Sequence, residues 1–258
     1  MRYEFGNNWI NFLQSVDKKN FVNAKNSLKF IISKKNNKSF VDIGCGSGIF
    51  SLSATYYYKK IFSLDIDDNS LLATKNLRKI FKINSKKWQI KKGSVLDKKF
   101  LKKIGKFDMI YCWGVAHHTG DMWTALENLI ILTKKNSRLL IAIYNDQGVK
   151  SKIWWIIKII YNLLPNFLRI VYLKVFELLY YINYTIKNFG KLDYKKLRKQ
   201  RRGMNFWENL NDWIGGYPYE YSSVEKLNNF FIERGFKILK VKKSHGSGCN
   251  EILFERKK

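Results

Sequence analysis

Two neighbouring histidines, His117 and His118, stand in the stretch YCWGVAHHTGDMW, and the whole chain of 258 residues holds only three. An imidazole titrates near neutral pH, so it can take a proton from a hydroxyl while a new bond forms on that oxygen. The bland alternative is structural, because one of an adjacent pair often faces a core and only hydrogen-bonds to backbone. A second constellation lies in SFVDIGCGSG, residues 39 to 48, where Gly44, Gly46 and Gly48 follow an apolar run ending in Asp42. Glycines there let the chain turn tightly and let a ligand approach the backbone without Cβ interference, while the next helix offers unpaired N–H groups. The dinucleotide fingerprint places its third glycine three residues after the second; here it comes after two, with Cys45 inside the loop. Two more carboxylates lie at or after strand-like runs: Asp65, followed by Ile66, ends FSLDI, and Asp97, preceded by Ser94 and Val95 in GSVLD, comes after the third. Cys45, Cys112 and Cys249 are odd in number and far apart, which gives neither a disulfide framework nor a metal-ligand spacing, so no metal is expected.

These residues need a scaffold that brings strand ends together. SFVDIG (39–44), KIFSLDI (60–66), KWQIKKG (87–93), FDMIYCW (107–113) and RLLIAIY (138–144) each read as a strand. Between them, residues 49–57, 68–83, 95–104 and 121–134 read as helices, a rhythm that predicts an α/β fold with a doubly wound, mostly parallel sheet. Near the end, Ser222 and Glu225 have capping-box spacing ahead of VEKLNNFFIER, and Gly235 stands where a helix stop is wanted. FKILKVKK and CNEILFER then predict an antiparallel hairpin at the sheet edge. Residues 150–203 interrupt the pattern with an apolar segment broken by Pro165 and followed by KKLRKQRR. A membrane span needs about 20 mostly apolar residues, whereas the longest charge-free stretch here runs only from Ile159 to Leu168, so a cap of two packed helices is expected.

The pattern D-x-G-x-G-x-G at Asp42, Gly44, Gly46 and Gly48 resembles the first motif of the class I S-adenosylmethionine-dependent methyltransferases. That resemblance implies a seven-stranded sheet with S-adenosylmethionine as cofactor, the loop Gly44 to Gly48 lying against its methionine and ribose portion. It implies that Asp42 helps anchor the amino acid end, that Asp65 beside Ile66 meets the ribose hydroxyls, and that Asp97 with Ser94 and Val95 meets the adenine. Trp113 and Gly114 would contact the cofactor or the reacting end of the acceptor. His118 matches a histidine of small-molecule O-methyltransferases of the ubiquinone-biosynthesis type, and similar text occurs in some wobble-uridine tRNA-modifying relatives. The loop after the fourth strand has no proline and so lacks the Asn/Asp-Pro-Pro-Tyr/Phe motif of amino-directed nucleic-acid enzymes, and Cys112 follows Tyr111 rather than a proline. The expected organisation is an N-terminal segment (1–38) closing over the cofactor, a core (39–149), an aromatic-rich acceptor lid (150–221), and a last helix with the edge hairpin (222–258). Within FGNNW, Phe5 and Trp9 are the candidates for that closure. Candidate acceptor contacts are Tyr144, Asn145, Trp207, Trp213, Tyr217 and Tyr221.

A formal charge of +28 invites RNA or an anionic membrane as partner. Lysine rather than arginine dominates and is spread along the chain, which equally describes a solvated surface. In-plane membrane contact by the Trp- and Tyr-rich cap with its basic flank is a further possibility. A composition of 46% hydrophobic residues supports a sizeable core, and the polar opening MRYEFGNNWI lacks the form of a signal peptide, so a cytoplasmic enzyme is expected. The leading expectation is methyl transfer to a hydroxyl of a small or lipid-like acceptor; the rivals are an RNA methyltransferase and a non-catalytic binding module.

Overall fold

A computed structural model describes residues 3, 6, 18–29, 31–32, 38–187, 206–244, 246 and 248–257. Seven strands form one sheet: β1 (Ser39–Ile43), β2 (Lys60–Asp65), β3 (Trp88–Lys92), β4 (Phe107–Trp113), β5 (Thr133–Tyr144), β6 (Phe236–Lys242) and β7 (Cys249–Arg256), in the order β3-β2-β1-β4-β5-β7-β6. The first five run parallel, and β7 enters antiparallel between β5 and β6. The central strands are buried along nearly their whole length, as SFVDI and FDMIYCW require when helices cover both faces. The edge strand β6 is mostly exposed and carries Lys237, Lys240 and Lys242, charges that guard an open edge against further pairing.

Helices alternate with these strands: α1 (Lys18–Lys29), α2 (Ile49–Ala54), α3 (Asp68–Ile80), α4 (Lys98–Ile104) and α5 (Met122–Ile131), then α9 (Val224–Glu233) before β6. Short polar residues start them. Asp67, Asp97 and Asp121 accept from the backbone N–H groups of Ser70, Phe100 and Thr124 at 2.8, 2.9 and 3.2 Å. At α9 the cap is Ser223, accepting from Lys226 N at 3.2 Å, one residue later than the capping-box spacing suggests. Ser222 is unavailable because its backbone is tied to the end of β5, donating to Tyr144 O at 3.0 Å. The helix expected over 121–134 stops at Ile131, since Thr133 already pairs with Phe107 as the first residue of β5.

One apolar cluster packs α4, α5 and α9 against one side of the sheet through Leu101, Leu126, Leu129 and Phe231. A second sets Ala24, Leu28 and Leu52 against Phe40, Trp88 and Tyr111 on the other. The insertion after β5 forms α6 (Val149–Leu163) and α7 (Asn166–Lys187), separated at Pro165 as the sequence predicts, and α8 (Phe206–Gly215) packs on both. Its small core centres on Tyr161, Leu173 and Ile214.

Candidate active site

The carboxyl ends of β1, β2 and β3 open into a crevice walled by Gly44, Leu64, Asp65, Ile66, Ser94 and Val95, with Val115 and Thr119 from the loop after β4 closing it. The glycine loop above β1 is fastened on three sides. Gly46 N donates to Asp65 Oδ2 at 3.0 Å, Thr74 Oγ1 donates to Gly46 O at 2.9 Å, and Cys45 Sγ lies 3.4 Å from the same threonine oxygen. Gly44 and Gly48 have φ of +67° and +78°, and a Cβ on either would fall 2.5 Å from Val115 or 2.8 Å from Thr74. The bareness of the loop thus serves first the close packing of the β4 loop and α3 against it. Asp65 also accepts from Asp67 N at 3.0 Å, joining the loop to the start of α3. Burial raises its carboxyl above the ordinary value despite these donors.

Beneath the loop runs a buried polar chain. Trp88 Nε1 donates to Ser63 Oγ at 2.7 Å, Ser63 and Ser51 hydroxyls meet at 2.6 Å, and Ser51 Oγ donates to Asp42 Oδ2 at 2.5 Å. Burial, reinforced by nearby Asp65, pushes the Asp42 carboxyl up to about 7 against the pull of the Ser51 hydroxyl. Asp42 therefore stands under the loop and outside the crevice wall.

On the other side of the β4 loop lies an aromatic cluster. The AHH of WGVAHHTG forms a short 3-10 turn with both histidines buried. The His117 ring lies 4.1 Å from Tyr144 and 4.4 Å from His118. His118 Nδ1 is 2.6 Å from the carbonyl of Pro218. A carbonyl only accepts, so Nδ1 carries a proton at this contact. The strap from Tyr217 to Ser222 crosses this turn: Glu220 N donates to His117 O at 2.9 Å, Glu220 receives Met122 N at 3.1 Å, and the Tyr219 ring packs 5.0 Å from Tyr144. Outside the strap, a groove of about 540 Å³ is lined by Trp123, Lys152, Trp155, Ile156, Glu220 and Tyr221, with Met122 and Tyr219 completing it. Under the same strap Lys158 is wholly buried, donating to Trp213 O, with the rings of Trp213, Tyr219 and Tyr144 at 4.9, 5.0 and 5.7 Å. Burial lowers its amine to about 7.

A family profile described as "Methyltransferase domain" matches residues 17–241. The chain belongs to this methyltransferase domain family. Its class I resemblance, with S-adenosylmethionine as the cofactor of that class, is thereby borne out. The magnesium protoporphyrin IX methyltransferase from Synechocystis PCC 6803, solved with bound SAH, superposes with a TM-score of 0.57 at 12% identity over 97% of this chain and 93% of that one. PKMT2 from Rickettsia typhi, solved in complex with AdoHcy, gives 0.59 at 15% identity over 93% of this chain and 54% of the other. In sequence, the ribosomal protein L11 methyltransferase of Lachnospira eligens is 33% identical over 69 residues, which is 26% of this chain and 22% of that protein.

In this chain the sheet gathers Gly44, Asp65, Ile66, Ser94 and Val95 at one crevice, and Gly46 is tied to its wall through Asp65. Asp97 lies just beyond the wall and spends Oδ1 as the cap of α4. Trp113 ends β4 and packs toward the α2 side, while Gly114 N donates to Ala142 O at 3.2 Å. Of the anticipated acceptor contacts, Tyr144 joins the histidines and Tyr221 lines the groove. Asn145 instead accepts from Asn250 Nδ2 at 3.0 Å and holds the β6–β7 turn. Trp207 and Trp213 pack in the core of the cap, and Tyr217 O receives Tyr3 N at 2.9 Å. Phe5 and Trp9 lie outside the described residues. Gly6 does not: a Cβ there would fall 1.8 Å from Asp67 Oδ1, so the N-terminal backbone comes down on the start of α3, beside Asp65. Sequence reading passed over Ser51, Ser63, Thr74 and Lys158. The signal for Lys158 is its place in SKIWWIIKIIY, four residues after Trp154 and three before Tyr161, on the inward face of an apolar helix.

The donor set fits the cofactor of this family. A carboxylate at the end of β2 can accept from vicinal hydroxyls, and Leu64, Ile66 and Val95 offer flat apolar contact to a purine. The crevice is narrow, about 50 Å³, with Val115 and Thr119 of the β4 loop on one wall.

Proposed function

We propose that the protein transfers a methyl group from S-adenosylmethionine to a hydroxyl of a small or lipid-like acceptor, with His118 as the base. The observation that supports this is the His118 Nδ1 contact with Pro218 O at 2.6 Å, which holds the ring in the turn that follows β4, at the carboxyl edge of the sheet. S-adenosylmethionine supplies an electrophilic methyl on a sulfonium. The chain's own part is to line up the acceptor and to remove one proton. His118 accepts the hydroxyl proton at Nε2 and becomes an imidazolium, the Pro218 carbonyl holding the Nδ1–H throughout. His117, whose ring is pressed between His118 and Tyr144, fixes that orientation.

Asp65, the loop Gly44 to Gly48, Ile66, Ser94 and Val95 are the proposed cofactor contacts, with Asp42 setting the loop from below. The aromatic groove beside the strap supports an apolar acceptor body, with α6 and the strap from Tyr217 to Ser222 as its proposed cover. The test is incubation of the protein and methyl-labelled S-adenosylmethionine with RNA, lipid and small-molecule fractions. Label is expected in the lipid or small-molecule fraction, and label confined to RNA refutes the acceptor class. With a labelled acceptor in hand, His118→Ala should lower turnover by about 10² to 10⁴ while leaving cofactor affinity unchanged.

A further inference from the structure

We infer that the outer face of the α6–α7 hairpin is a docking surface for an anionic lipid bilayer, lying in the plane of the membrane and bringing the groove beside α6 to it. Helices on a globular protein ordinarily turn apolar residues inward and charges outward. This pair has a small apolar core at Tyr161 and Leu173 but departs from that rule elsewhere. Its buried positions include Lys158 and Glu177, the latter only 8% exposed, and both are satisfied there. Lys158 reaches Trp213 O, while Glu177 receives Lys174 Nζ and the Tyr181 hydroxyl, each at 3.0 Å. Outward along α6, Ile153, Ile156, Ile160 and Leu163 recur at helical spacings of three and four, and Ile153 and Ile160 are 51% and 42% exposed. Val171, Val175, Leu178 and Ile182 repeat the spacing on α7, with Leu178 59% exposed. Apolar stripes of this length mark a surface that meets something other than water.

Three observations select the bilayer. Among the described residues no helix is long and apolar enough to cross a membrane, so contact through these stripes is in-plane. The chain carries a formal charge of +28, which draws it to anionic headgroups and opposes pairing this face with a second, equally charged copy. Finally, Ile156 belongs to both the α6 stripe and the groove, with Trp155 beside it and Lys152 on the same wall. An acceptor with an acyl or prenyl body can then pass from lipid into the groove without crossing water. That last step rests on the proposed methyl transfer; the docking itself does not.

The test is co-sedimentation of the full chain with vesicles of phosphatidylcholine alone and with vesicles that also contain phosphatidylglycerol. Sedimentation velocity and thermal melts are run on the same samples, beside the variant Ile153→Glu/Ile160→Glu/Leu178→Glu. The wild type should bind the anionic vesicles, and the variant should bind them at least about tenfold more weakly, with unchanged melting and unchanged affinity for S-adenosylhomocysteine. The inference is overturned by any of four results: no vesicle binding, equal binding by the variant, a dimer that the variant dissolves, or a large loss of stability showing that the chain itself covers the stripe. None of these readouts uses catalysis, so failure here leaves the methyl-transfer reading standing, and failure of that reading leaves the docking result intact.

Discussion

At the carboxyl ends of β1 to β3, carboxyl groups are held by backbone N–H groups and hydroxyls in a sheet whose central strands are buried. In the helical cap Lys158 and Glu177 are buried beside a small apolar core while isoleucines face outward. The contrast separates two kinds of constraint. Around the glycine loop, each polar group is placed by a short covalent tether to a strand end, and the sheet fixes where strand ends are. In α6 and α7 only helical periodicity places residues, and periodicity alone does not say which face meets the core.

The sharpest way to break the comparison is through one buried ionisable group from each region, because the two respond to pH with opposite sign. Folded Asp42 keeps its proton up to about 7, whereas the unfolded chain releases it near 3.8. Between those values the folded state holds more protons, so stability falls as pH rises, by about 4 kcal/mol across the window. Lys158 behaves conversely, since the folded amine releases its proton near 7 and the unfolded one near 10.5. The unfolded state then holds more protons, and stability rises from pH 7 upward by about 4 to 5 kcal/mol. Asp42→Asn should flatten the acid limb alone and Lys158→Met the alkaline limb alone, as read by urea unfolding at a series of pH values. Limbs that persist in both variants would mean that neither burial has the assigned effect.

Asp65 tests the cofactor region by itself. Its two carboxylate oxygens tie Gly46 N and Asp67 N together, and it is the acid on the crevice wall. Hydrogen bonds to a charged acceptor contribute about 1.5 to 3 kcal/mol each, so Asp65→Ala should weaken binding of S-adenosylhomocysteine at least about a hundredfold by calorimetry. A substitution on the outer cap such as Leu178→Glu should not change it. Comparable losses from both would erase the distinction between the regions.

Much of the core was legible because it is written in local chemistry. Glycines with a preceding Asp42, Asp65 closing β2, and Pro165 between two helices each act within a few residues, and the structure places all of them accordingly. What sequence did not show are partners set by long-range packing. Ser51, Ser63 and Trp88 come from three elements and meet only because β1, β2, β3 and α2 stack in that order. Asn145 sits in a polar cluster after β5 that could equally face an acceptor, and its capture by the β6–β7 turn depends on a hairpin some hundred residues later. Ser222 lost the cap to Ser223 for the same reason, a backbone tie to β5 invisible in the local spacing.

The smallest predicted effect concerns Asp97, which sits between the two kinds of constraint. The class I resemblance expects a cofactor acid at its position after β3, but its Oδ1 accepts from Phe100 N at 2.9 Å and it lies just outside the crevice wall. Losing an N-cap costs about 1 kcal/mol, so Asp97→Ala should lower unfolding free energy by about that amount. Asp97→Asn should restore it, because the amide oxygen still accepts from Phe100 N. If capping is the whole role, cofactor affinity stays within about threefold in both variants. A tenfold or greater loss that Asn fails to restore would instead add the carboxylate to the crevice and extend the region built by strand ends one residue further along the chain.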